Sequence, residues 1–72
     1  MMIDWEMTKV KIKRMIREMG YSIKTIANEL CVSESTIKNY VYAETKIPID
    51  TLCQLKILFG VEKIEDLLVI KD

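Results

Sequence analysis

Histidine is absent from this chain of 72 residues, proline occurs once, glycine and cysteine twice each, and the formal charge sums to zero. Each scarcity excludes something. Without histidine the chain lacks the commonest general base and the commonest metal ligand. The nearest thing to a metal set is the two distant thiols Cys31 and Cys53, so no metal and no other cofactor is expected. Two cysteines without dense flanking turns do not make a disulfide-stapled secreted scaffold, and they read as free thiols in a reducing compartment. No apolar run approaches the roughly 20 residues of a membrane span. The start Met1-Met2-Ile3-Asp4-Trp5-Glu6 lacks the basic opening of a signal peptide, which sets a cytosolic, cytoplasmic address.

What is present is apolar patterning. Half of the residues are hydrophobic and 31% are charged, which marks a folding sequence. Its length allows one small domain, residues 1–72, and excludes most enzymes. Such a chain buries only about 60% of its unfolded surface, so a second copy would add useful burial. Gly20, Pro48 and Gly60 cut the chain into helical pieces. From Thr8 to Met19, Ile12, Met15, Ile16 and Met19 recur at helical spacing, with Lys9, Lys11, Lys13, Arg14 and Arg17 on the other faces. Ser22 is a good N-cap for residues 23–30, and Ser33 for a piece from Glu34 to about Tyr42. In that third piece Ile37, Tyr40 and Val41 lie together and leave Glu34, Ser35, Lys38, Asn39 and Tyr42 outward. A loop, Ala43 to Ile47, follows. Pro48 fits a first helical position, and Leu52, Leu55, Ile57, Leu58 and Phe59 predict the most buried helix, ending at Gly60. Val61, Ile64, Leu67 and Leu68 suggest a fifth, short helix. Val69-Ile70 is too short to count as a strand.

Two short helices separated by only Cys31-Val32-Ser33 have the spacing of a helix-turn-helix over about residues 22–42. That motif needs a small residue in its first helix, where the second crosses close over it, and a branched apolar residue to fill the angle. Ala27 and Ile37 occupy those places. The run Ser22-Ile23-Lys24-Thr25-Ile26-Ala27-Asn28-Glu29-Leu30-Cys31-Val32-Ser33-Glu34-Ser35-Thr36-Ile37-Lys38-Asn39-Tyr40 resembles the XRE-type family of phage repressors and Cro proteins. The likeness extends to Met19-Gly20-Tyr21-Ser22, Phe59-Gly60-Val61 and Glu65-Asp66-Leu67-Leu68. It implies an all-α, compact five-helix lambda-repressor-like domain, with its C-terminal helices over 48–70, that binds DNA, commonly as a dimer, with the third helix in the major groove. By position it assigns base contacts to Glu34, Ser35, Thr36, Lys38 and Asn39.

Three departures from the family pattern involve four residues. Cys31 stands where the family usually has glycine, and a positive φ there would cost about 1 kcal/mol. Ile16 and Val41 replace an Arg and a Glu that many members pair near the phosphate backbone, an exchange that can be neutral for stability. Pro48 sits one position later than the family's proline.

The zero net charge hides an uneven distribution. Residues 1–20 hold Lys9, Lys11, Lys13, Arg14 and Arg17 against Asp4, Glu6 and Glu18, whereas residues 47–72 are the acidic end. Ser22, Lys24, Tyr42, Lys46 and some first-helix cations are expected at phosphates. Asn39 can donate to and accept from adenine, Lys38 suits guanine, Glu34 can accept from cytosine, and Ser35 and Thr36 can contact bases or phosphates. The blander alternative for each is a solvated side chain on an exposed helix face; Tyr42 equally suits the core's rim. Trp5 reads as a lid on the core, the methionines as gap-fillers, and the cysteines as inert small hydrophobes.

Together these readings predict a sequence-specific double-stranded DNA-binding transcriptional regulator, a repressor in kind, not an enzyme and with no small-molecule ligand. It would act as a homodimer through the apolar tail Ile64, Leu67, Leu68 and Ile70. The rival is a protein-interaction module of the same fold, antitoxin-like or an anti-regulator, favoured by zero net charge and by the lack of arginine on the third helix.

Overall fold

The computed structural model describes residues 1–43 and 45–72; Glu44, within the expected loop from Ala43 to Ile47, lies outside the described residues. A two-residue strand β1 (Met2–Ile3) is followed by helices α1 (Trp5–Glu18), α2 (Ile23–Leu30), α3 (Glu34–Tyr42) and α4 (Ile49–Phe59). A 3₁₀ turn (Ile64–Leu67) and a second two-residue strand β2 (Ile70–Lys71) close the described chain. Four α-helices and one 3₁₀ turn therefore stand where five helices were expected. Only four residues separate extended backbone at Lys63 and Leu68, too few for more than a tight i to i+3 turn.

Asp4 starts α1 three residues before the expected Thr8, because its carboxylate accepts the Met7 N–H at 3.0 Å. Thr8, Ile12 and Ile16 then form one buried row at i, i+4 and i+8. Ser22 and Ser33 cap α2 and α3 as expected, accepting the N–H groups of Thr25 and Thr36 at 3.1 Å each. The same reversal ends α2 and α4. Cys31 (φ 58°) and Gly60 (φ 72°) are left-handed, and the N–H groups of Val32 and Val61 reach back to the carbonyls of Ala27 and Lys56. Pro48 precedes α4 as its cap and is not its first helical residue.

The core joins Ile12 and Ile16 of α1 to Ile26, Ala27 and Leu30 of α2, Ile37 and Val41 of α3, and Leu52, Leu55 and Phe59 of α4, with Ile47 and Leu67 completing it. Ala27 and Ile37 are both buried, as the close crossing of α2 and α3 requires. Ile16 and Val41 are buried as well, both apolar members of the core. Trp5 packs half-buried against that core. Ile57 does not join it: α4 advances about 100° per residue, which turns Ile57 almost opposite Leu52, Leu55 and Phe59. It is 75% exposed.

The chain's two short strands pair antiparallel, Met2 with Lys71 and Ile3 with Ile70. No strand was expected there. Three more bonds strap the segment after the 3₁₀ turn across α1: Asp4 N–H to Val69 O at 2.7 Å, Val69 N–H to Thr8 Oγ1 at 2.9 Å and Lys11 Nζ to Leu68 O at 3.4 Å. Leu67 is fully buried and has no surface left for a second copy; Ile64 and Leu68 are half-buried against the core, and only Ile70 is exposed. Among the described residues no helix is long and apolar enough to cross a membrane.

Candidate nucleic-acid interface

α3 presents Glu34, Ser35, Lys38, Asn39 and Tyr42, all exposed, over an arc of about 140° at 100° per residue. Ile37 and Val41 anchor the opposite side, so the core fixes which side chains point outward. Thr36 is the exception among the five expected base-contacting residues. It is half-buried, its N–H is bound by Ser33 Oγ, and its hydroxyl lies 2.9 Å from that same oxygen. Its position makes it part of the α3 cap.

Beside this face lies an open cleft of about 550 Å³, lined by Val10, Lys13, Ile16 and Arg17 of α1, Tyr21 and Ser22 before α2, Ile23, and Tyr42 at the end of α3. Lys13 and Arg17 are one helical turn apart and reach the same space as Ser22, whose hydroxyl caps the positive end of the α2 dipole. The Lys13 ammonium stands 5.2 Å from the centre of the Tyr42 ring, a cation–π contact that holds both side chains at the cleft wall. Cations, a helix N-terminus and hydroxyls around one concavity have the chemistry to hold a phosphate-type anion. Of the four expected phosphate contacts, the structure brings Ser22 and Tyr42 together here. Lys24 on α2 and Lys46 before α4 are exposed and do not line the cleft.

The first-helix cations divide. Lys9 is buried, and its ammonium donates to the carbonyl oxygens of Ala43 and Thr45, tying the end of α3 to α1. Lys11 turns to the tail carbonyl of Leu68. Lys13 and Arg17 are left for the cleft, and Arg14 is exposed outside it. Nothing in the sequence marked this division, because Lys9 and Lys13 share the i, i+4 spacing of Lys13 and Arg17. Ile16 supplies an apolar wall of the cleft, at a position where many family members carry one partner of a buried ion pair.

Two helices joined by the left-handed turn at Cys31, with a solvated second helix and a cationic cleft beside it, define a helix-turn-helix DNA-binding domain. The helix-turn-helix family model of the XRE type matches residues 12–65, and the chain belongs to that family of DNA-binding regulators. No curated protein and no solved structure matches it. The family's role is regulatory and not typically enzymatic.

Proposed function

We propose that this protein is a sequence-specific repressor that binds double-stranded DNA as a homodimer, with α3 in the major groove. The observation that carries the proposal is the adjacency of two surfaces: the outward row Glu34, Ser35, Lys38 and Asn39, and the cleft of Lys13, Arg17, Ser22 and Tyr42. The first has the donors and acceptors to read base edges, and the second has the charge to fix the helix on the backbone. Asn39 reads adenine, Lys38 guanine, and Glu34 and Ser35 add discrimination; Thr36 contributes through the cap. Lys24 and Lys46 extend the phosphate contacts.

Repression here is occlusion of a site by a small dimer, with two half-sites about one helical turn, 10 bp, apart on one face of the duplex. It needs no cofactor and no small-molecule ligand. Both cysteines are free and exposed, which suits a reducing cytoplasm.

The test is selection from a random duplex pool, followed by fluorescence anisotropy of the enriched sites with wild type and Asn39→Ala. A two-fold-symmetric site, weakened by about 1–3 kcal/mol in Asn39→Ala, is the expected result. The absence of any enriched sequence at low salt would overturn it. The zero net charge and the single cation among the outward α3 residues, Lys38, favour the second reading, a protein-interaction module of this fold. Pull-downs against protein partners then become the informative assay.

A further inference from the structure

The outer side of α4 carries an apolar row that the fold leaves open. Ile49 is 63% and Ile57 75% exposed, and Cys53 between them is an exposed thiol. The three stand at i, i+4 and i+8, so they form one continuous ridge. Two charges flank it: Asp50 follows Ile49 by one residue, and Lys56 precedes Ile57 by one. Measured from Cys53, the pattern is symmetric in apolar character and opposite in charge, with isoleucines four positions away and the charges three positions away on either side. Helical geometry puts Asp50 on one flank of the ridge and Lys56 on the other.

This arrangement is complementary to itself. A two-fold axis running along the ridge through Cys53 exchanges its flanks, which places Asp50 of one copy opposite Lys56 of the other, twice per dimer. The ridge then meets its own image, with the small Cys53 at the centre allowing close approach. A row at i, i+4 is inclined about 26° to the helix axis, so the two helices cross at about 50°, the commonest crossing class in globular proteins. A two-fold perpendicular to this one would instead set Asp50 against Asp50 and Lys56 against Lys56. Charge therefore selects one arrangement of the two copies.

We propose that the outer face of α4, Ile49, Asp50, Cys53, Lys56 and Ile57, is a homodimer interface, its occupant a second copy of this chain. It supplies the surface for the dimer named above, and in that sense rests on the dimeric reading. The apolar tail is less available for that role, because Leu67 is buried and Ile64 and Leu68 are already packed on the core.

The experiment is sedimentation equilibrium of the whole chain without DNA, so that its failure is distinct from failure of the DNA reading. Wild type, Ile57→Glu, Asp50→Lys, Lys56→Asp and the charge-exchanged double variant are compared, with circular dichroism confirming that each is helical. The expected result is a wild-type dimer at micromolar concentration and at least about a tenfold weaker one in Ile57→Glu. Each single charge variant is weakened, and the double variant recovers to within about threefold of wild type, the signature of directly coupled partners. In a Cys31→Ser background, a short bismaleimide links two copies through Cys53. A monomer at all concentrations, or a dimer indifferent to Ile57→Glu, overturns the interface. A double variant no better than the singles overturns the two-fold arrangement.

Discussion

At Cys31 a residue with a Cβ holds the left-handed backbone that closes α2, φ 58°, while its thiol is exposed. Nothing in the core is lost if that side chain is removed, and the conformation itself favours glycine. Cys31→Gly is expected to raise stability by about 0.5–1 kcal/mol in urea denaturation at unchanged m. A lower midpoint would mean that the thiol makes a stabilising contact. This strain was legible beforehand only through the family resemblance, in which glycine usually stands where this chain has Cys31. Thr8 and Lys9 were not legible. Each looks like an ordinary solvated residue at the start of a basic helix, and each is buried because a partner more than 30 positions away supplies its hydrogen bonds: Val69 for Thr8, Ala43 and Thr45 for Lys9. Local spacing carries no information about such partners.

The motif's second helix is short, nine residues, and helices of that length are marginal without packing or caps. Three features hold α3: Ile37 and Val41 in the core, the Ser33 hydroxyl on the N–H of Thr36, and the Lys9 ammonium on the carbonyl of Ala43. Ser33→Ala is expected to cost about 1 kcal/mol, seen as a lower midpoint in thermal denaturation followed by far-UV circular dichroism. An unchanged midpoint would assign α3 to packing and the Lys9 contact. Among the elements, those with a side-chain cap and a periodic apolar row were legible: α2, α3 and the body of α1. The errors fell where both signals were weak. α4 is apolar nearly all round, so its sequence does not show which side faces the core, and Ile57 was misplaced as a result. The strands β1 and β2 are two residues each and exist only because the chain's remote segments meet.

For the molecule as a whole, the distribution of charge matters more than its sum of zero. Lys13 and Arg17 reach the cleft beside α3, while Lys9 and Lys11 are turned to backbone carbonyls. DNA affinity should therefore fall with salt at a shallow slope, set by few phosphate contacts, and Lys13→Ala should reduce that slope by about 1 in a log–log plot of anisotropy titrations. A slope unaffected by the substitution would remove the cleft from the phosphate path. That the basic helix adjoins the motif was legible from the sequence; which of its cations reach the cleft was not, since that depends on where the tail and the end of α3 lie. The pairing of Met2 with Lys71 carries a separate consequence. In connectivity the domain is close to a ring, so a linker of a few residues can join its ends and the order of the helices along the chain becomes a free choice. Opened at the turn after α2, the same fold would carry its two motif helices at opposite ends of the polypeptide, assembled across the break by Ala27 and Ile37.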